Sequence, residues 1–405
     1  MKNYYSTLLL LAGVLCFSSC STDDPGPEKP IASPSTLVSV EPIVTWSPGD
    51  IKGFLSGTPV GTFIDLDASQ YSVEVSRITY MTDYQGDSIE ASAMVMVPIA
   101  DKPVPTVSFQ HGTIASDAEA PTNLAQTNVQ IVLLNLLATT GVTVVVPDFI
   151  GFGSSVDVMH PYYVEDLTAT SIVNAIYASR EVAEEAEAEL NNELYLAGYS
   201  QGGYATMTAH KYYEVSGMDF YELQASFPSS GGYDIKSFQE YFWGLETYDN
   251  PFFLAFVANA YKVTYDWEQS LDIMFQEPYA TNIPSYFDGS KSGGQINSLL
   301  TTNIADLLQA DILANVDDEQ YSFLVDALVD NSPIDFVPQI PMHMFHGDAD
   351  VTVPYQNSVE VYDHFIANGA SADVVTFTTL EGGTHYTGFA PYVFTLYTEL
   401  QTLKE

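Results

Sequence analysis

At 405 residues, with 46% apolar against 16% charged side chains and with 27 Tyr and 22 Phe, the chain can bury a large core, which excludes a short binding module and a disordered acidic chain. Eleven Lys and Arg stand against 52 Asp and Glu, a formal charge of -41. That leaves no basic surface to neutralise a phosphate backbone or an anionic bilayer, so nucleic acid and anionic lipid surfaces are excluded as docking partners.

The first twenty residues read as an export signal. Lys2 is a short positive n-region, and Leu8 to Leu15 form an apolar stretch too short to span a bilayer, so residues 1–19 are expected to be removed. The segment ends Phe17-Ser18-Ser19-Cys20, which resembles a bacterial lipobox and makes Cys20 the expected lipid attachment site. An ordinary signal peptide cut near Ser19 is the alternative. Cys16 leaves with the signal either way, so no disulfide and no thiol site is expected in the folded body. Residues 20–35 are rich in Pro, Ser and acid without an apolar period and read as a flexible tether. Asp23 and Asp24, close behind the cysteine, resemble the export signal of surface lipoproteins in some Gram-negative bacteria. The expected address is therefore an exported body, lipid-anchored in a bacterial outer membrane or at the cell surface and meeting the membrane through that anchor only; a periplasm-facing body is the other orientation.

Further along, Tyr71 to Thr82 and Ser88 to Pro98 are β-rich runs around the turn signal Gln85-Gly86-Asp87, as in an antiparallel hairpin. Strand and helix then alternate: strands over Thr106 to Gln110, Val142 to Val146, Glu193 to Gly198 and Leu223 to Phe227, helices over Asn128 to Thr140 and Asp166 to Leu190. Such alternation with continuous Val-rich strands predicts βαβ units and a mostly parallel sheet with helices on both faces. Residues 236–335 show no Val-rich run but several helical stretches, including Phe252 to Lys262, Ile296 to Leu308 and Gln320 to Val329. Strands resume at Ile340 to Phe345 and Asp373 to Leu380, with helices at Gln356 to Asn368 and Tyr392 to Leu403. The expected organisation is one α/β core, residues 36–235 and 336–405, interrupted by an inserted helical cap over 236–335.

Gly198-Tyr199-Ser200-Gln201-Gly202 fits G-x-S-x-G between a predicted strand and a predicted helix, the context in which a tight turn projects a serine above a sheet. A serine alcohol is a weak nucleophile and needs a base within hydrogen-bond reach, itself oriented by an acid. Downstream, Asp348 and Asp350 fall on the loop after one predicted strand and His385 on the loop after the last, at the strand ends where active sites of open α/β sheets lie. Of the seven histidines, His210 and His364 lie in predicted helices, His343 inside a strand and His346 at its end, and these read as structural. Among the loop residues His111, His160 and His385, only His385 follows both the serine and the acids. For an oxyanion, the Gln201 N–H at a helix start is one expected donor, and the amide of Thr113 or Gly112, on the loop after the third strand, is the other.

Together with Pro147-Asp148-Phe149-Ile150-Gly151-Phe152-Gly153 and His160-Pro161-Tyr162, these elements resemble the α/β-hydrolase superfamily and, within it, the secretory lipase family related to fungal lipase A. The likeness runs from about Tyr71 to the C-terminus. It implies a serine hydrolase that cleaves carboxylic esters through an acyl-enzyme, with a helical cap inserted after the sixth strand. It favours Asp350 over Asp348 as the acid, since in this fold the acid commonly stands three residues before a Val-Pro pair such as Val353-Pro354. The His111-Gly112-Thr113 loop resembles ordinary esterases more than lipase A.

The first part of the insertion is dense in aromatics, among them Phe242, Trp243, Tyr248, Phe253 and Phe256, which either line an apolar slot or form the cap's own core. With no Lys or Arg cluster to hold a charged group, the expected substrate is a small uncharged ester. A peptidase or a carbohydrate (acetyl or feruloyl) esterase of the same fold is the alternative, and a non-catalytic ligand-binding lipoprotein the second. No His-Glu-x-x-His, EF-hand loop or cysteine cluster is present, and no metal or cofactor is expected.

Overall fold

The β-rich hairpin folds as β2 (Val73–Tyr84) against β3 (Asp87–Pro98), with Tyr84 opposite Asp87. Gln85 and Gly86 between them have φ of 53° and 88°, the paired left-handed conformation that matches the twist of a tight hairpin. A computed structural model describes residues 37–56 and 66–403. The signal segment 1–19, Cys20 and the tether to residue 35 lie outside the described residues.

Among the described residues, nine strands form a single sheet in the order β1-β2-β3-β5-β4-β6-β7-β8-β9. The outer strands β1 (Leu37–Trp46), β2 and β3 pair antiparallel, and β3 pairs antiparallel with β5 (Thr143–Pro147). From β5 through β4 (Val104–Gln110), β6 (Leu190–Tyr199), β7 (Glu222–Ser229), β8 (Met342–Gly347) and β9 (Val375–Leu380) every pairing is parallel. β4 and β5 are buried along their whole length; β5 accordingly reads as a continuous Val run, while β4 buries Thr106, Ser108 and Gln110 among its apolar residues. β1 was not among the predicted strands. It holds Pro42 and no fully buried residue, as suits an edge strand that must not recruit another.

Helices cover both faces, and β5 shows how: Val144 and Val146 point to one side and Val145 to the other. On the first side pack α1 (Pro48–Leu55), α2 (Val129–Ala138) and the final helix α13 (Phe389–Leu403), through Ile51, Leu136 and Leu396. On the other lie α3 (Glu165–Glu185) and α4 (Gln201–Ser216), through Ile172, Ile176 and Ala205. α12 (Tyr355–Ala367) covers β8 and β9 with Val361 and Phe365.

Between β7 and β8 the chain makes α5 (Ile235–Trp243), α6 (Phe252–Thr264), the short helices α7 (Tyr279–Asn282), α8 (Gly293–Asn297), α9 (Ile304–Leu307) and α10 (Ala310–Asn315), and α11 (Ser322–Asp330). Ile296 to Leu308 is thus two short helices rather than one. Asn297 accepts from the Phe252 N–H at 3.0 Å and Asn303 from the Asp306 N–H at 3.0 Å, so both side chains serve helix starts instead of continuing a helix. α3 also stops sooner than its Ala-Glu pattern suggests. Glu187, at φ 57°, turns the chain, and the Ala188 N–H closes on the Ala183 carbonyl at 2.9 Å.

Candidate active site

Ser200 occupies the turn from β6 into α4, with φ 62° and ψ -123°, a conformation that L-residues avoid unless their surroundings impose it. The constraint comes from close backbone packing. A Cβ on Gly202 would run into the Gln110 carbonyl, one on Gly203 into that of Ser229, and one on Gly198 into that of Gly202. The Ser200 N–H donates to the Ser229 carbonyl at 2.9 Å. From beneath, the Tyr392 hydroxyl accepts from the Gly198 N–H at 2.9 Å and donates to the Phe227 carbonyl at 2.8 Å, so α13 locks the ends of β6 and β7.

His385 lies on the loop after β9, and its Nε2 is 2.9 Å from Ser200 Oγ. Its Nδ1 is 2.7 Å from Asp350 Oδ2, on the loop after β8. Since Asp350 supplies only lone pairs when ionised, Nδ1 carries the proton and Nε2 is free to accept from the serine hydroxyl. The other carboxylate oxygen, Oδ1, accepts from the Thr352 and Val353 amides at 2.9 and 3.0 Å. Burial pushes the Asp350 carboxyl up, but hydrogen bonds from His346 and His385 outweigh it and hold the group down at about 2. Tyr199 donates to the His385 carbonyl at 2.8 Å and fixes the loop that presents the imidazole. Ser200, His385 and Asp350 are all buried.

Asp348 does not reach His385. Its Oδ1 accepts from the Gly382 N–H at 2.6 Å, tying the loop after β8 to the loop after β9. Gly112 lies beside the serine: a Cβ built on it would be 3.7 Å from Ser200 Cβ. Gln201 is the first residue of α4, so its N–H has no carbonyl one turn earlier to bond. The Thr113 hydroxyl is 2.9 Å from that of Tyr162.

His160 holds the Gln201 side chain. Its Nδ1 donates to the Ile150 carbonyl at 2.6 Å, which leaves Nε2 to accept from Gln201 Nε2 at 2.7 Å. Burial drives the His160 pKa down to about 3, so it stays neutral. Behind it, Asp148 is fully buried and accepts from Ser92 Oγ at 2.6 Å and from the Thr122 amide at 2.9 Å; burial raises its pKa to about 6.

Sequence reasoning passed over two contacts. His346, read as structural, has Nε2 at 3.2 Å from Asp350 Oδ2. A signal was available: in His346-Gly347-Asp348-Ala349-Asp350 the two side chains stand four apart on a turn. Tyr248, between α5 and α6, donates to the Thr352 carbonyl at 3.0 Å and so reaches the acid's loop; nothing in its local sequence marks that contact. The insertion's aromatics pack chiefly on one another and on the core, as in the stacked pair Tyr162–Phe256 with centroids 4.3 Å apart. Phe242, Trp243 and Phe253 also line an apolar cavity of about 70 Å³ behind Tyr162 and Tyr163.

Residues 116–214, which include Asp148, His160 and Ser200, match the model of the secretory lipase family. No curated protein matches the sequence. Among solved structures, a Legionella pneumophila protein superposes with a TM-score of 0.79 at 23% identity, over 90% of this chain and 97% of its own. The esterase LipA of Xanthomonas oryzae, described as rice cell wall degrading, gives 0.77 at 22% identity over 91% and 99%. Candida antarctica lipase A gives 0.61 at 17% over 86% and 77%. With its mostly parallel sheet and helices on both faces, the chain has the α/β-hydrolase fold.

Proposed function

We propose that the chain is a serine hydrolase of uncharged carboxylic esters, a reading carried by the unbroken relay from Ser200 Oγ to His385 Nε2 and from His385 Nδ1 to Asp350 Oδ2, at 2.9 and 2.7 Å. Ser200 Oγ attacks the ester carbonyl carbon while His385 Nε2 takes its proton; the imidazolium faces the ionised Asp350 and then protonates the departing alcohol. Water repeats the sequence on the acyl-enzyme. The Gln201 N–H and the Gly112 or Thr113 N–H are the groups assigned to the oxyanion, with His160 fixing the Gln201 side chain behind them. Ser200→Ala is expected to abolish turnover of nitrophenyl esters, with circular dichroism and melting temperature near those of the parent. An active Ser200→Ala protein would refute the reading.

The second reading, an esterase of acetylated or feruloylated plant polysaccharide, is favoured by one observation: the Xanthomonas oryzae structure of similar fold is a cell wall degrading esterase. A panel of short and long acyl esters, acetylated and feruloylated glycans and aminoacyl amides separates the readings by kcat/KM. We further propose that residues 236–335 act as a cap over the site. Residues 1–19 direct export, and lipid on Cys20 tethers the body to the outer membrane or cell surface; incorporation of labelled fatty acid into the parent but not into Cys20→Ala tests the anchor.

A further inference from the structure

Asp350 is held by two imidazoles. Its Oδ2 receives His385 Nδ1 at 2.7 Å and His346 Nε2 at 3.2 Å, while Oδ1 takes the Thr352 and Val353 amides at 2.9 and 3.0 Å. A carboxylate offers about four lone-pair sites. All are engaged, so the group can neither rotate nor take a proton without losing a donor.

The tautomer of His346 follows from its neighbours. Nε2 faces two acceptors, Asp350 Oδ2 and, at 3.0 Å, the Val353 carbonyl, and must therefore carry the hydrogen. Nδ1 is left to accept from the Ser358 hydroxyl at 2.6 Å, on α12. The ring is fully buried, and Tyr355 stands edge-on to it at 5.9 Å between centroids. One N–H thus clasps both ends of the Asp350–Val353 loop, and a hydroxyl from a helix on the sheet's flank fixes which nitrogen bears it.

We infer that His346 is a positioning residue for the proposed ester hydrolysis: through its Nε2–H it holds the Asp350 carboxylate in the rotamer and charge state that present Oδ2 to His385, and Ser358 sets its tautomer. This rests on the reading of Ser200, His385 and Asp350 as a hydrolytic triad. Besides the two histidines, the ionisable groups that bear on Asp350 are Tyr248, from between α5 and α6, and Tyr199, at the end of β6.

Three variants test the role. His346→Gln keeps an N–H near the position of Nε2; His346→Leu removes it at similar bulk; Ser358→Ala removes only the hydroxyl that fixes the tautomer. With active sites titrated by a fluorophosphonate, His346→Leu is expected to lower kcat between about tenfold and a hundredfold with KM within about twofold, short of the roughly 10⁴-fold loss of a triad whose acid is neutralised. Its acid limb of kcat/KM is expected at higher pH, because Oδ2 then leaves its whole charge to His385. His346→Gln should recover most of kcat, and Ser358→Ala should lie between Gln and the parent. A purely structural histidine would lower the melting temperature of the Leu variant yet leave kcat per titrated site and the pH profile unchanged, and that result overturns the proposal. Should the Leu variant fail to fold, Ser358→Ala decides: unchanged kcat and pH profile refute. The far-downfield proton resonance of the His385 Nδ1–H···Asp350 bond gives a readout without turnover; it should move in His346→Leu and return with Gln. If the parent hydrolyses no ester, the functional reading fails while this resonance still judges the positioning role.

Discussion

Two buried aspartates near the candidate site sit in opposite electrostatic situations. Asp350, held down at about 2 by its imidazole donors against the cost of burial, favours the folded state at every pH above the ordinary carboxylate value of 3.8, and that contribution is lost as pH falls towards 2. Asp148 is pushed up to about 6 by burial, against hydrogen bonds from Ser92 and Thr122. Its folded form keeps a proton that the unfolded chain has released, so its contribution is full below 3.8 and disappears as pH rises through about 6. An asparagine fits the same place. Its oxygen can keep the Thr122 amide, and its NH₂ can donate to the Ser92 and Thr122 hydroxyls, both of which donate to Oδ2 of the aspartate. Asp148→Asn is therefore expected to gain melting temperature relative to the parent as pH is raised from 5 to 8. Parallel curves of melting temperature against pH for the two proteins would remove burial as the dominant influence on Asp148.

The elements of the core are joined to the return from the insertion by one cation. Lys211 of α4 is buried and meets Glu165 of α3 at 2.7 Å and Asp335, which follows α11. The attraction of both carboxylates outweighs burial and keeps its ammonium pKa above the usual value. Removing Lys211 strands the buried Glu165 carboxylate, whereas the Asp335 side chain is largely exposed. Lys211→Met is expected to cost about 3–5 kcal/mol of stability, measured by urea unfolding, whereas Lys236→Met, at an exposed pair with Glu240, should change it by less than about 1 kcal/mol. None of these links was legible in the sequence, because they depend on which helices the sheet brings together. The parallel strands were legible as short apolar or β-branched runs alternating with helical stretches, most plainly in the Val run of β5. β1 and α1 were not: β1 buries too little to show a period, and α1 is signalled only by the Ser47–Asp50 capping box. At the site, the serine turn could be read because its geometry demands glycines at fixed positions. The neighbourhood of His346 offered only a spacing, four residues before Asp350, since a histidine ending a strand has the same local sequence whether it packs idly or bonds a carboxylate on the next loop.

At the level of the whole molecule, the formal charge of -41 is spread over a body with only 11 Lys and Arg, so repulsion among its carboxylates opposes compactness. Screening should relieve it: the melting temperature is expected to rise between about 10 mM and 500 mM NaCl, where the Debye length falls from about 30 Å to a few ångströms. A flat or falling curve would mean that the acids are locally compensated. The order of strands along the chain has a separate consequence. Ser200 precedes the residue 235–330 helices, whereas Asp350 and His385 follow them, on the loops after β8 and β9. A ribosome therefore delivers the serine turn long before its partners, and a nascent or prematurely terminated chain carries an inert alcohol. On the proposed mechanism, hydrolysis awaits the docking of β8 and β9, so activity would report that synthesis has passed His385 and that both strands have found their places.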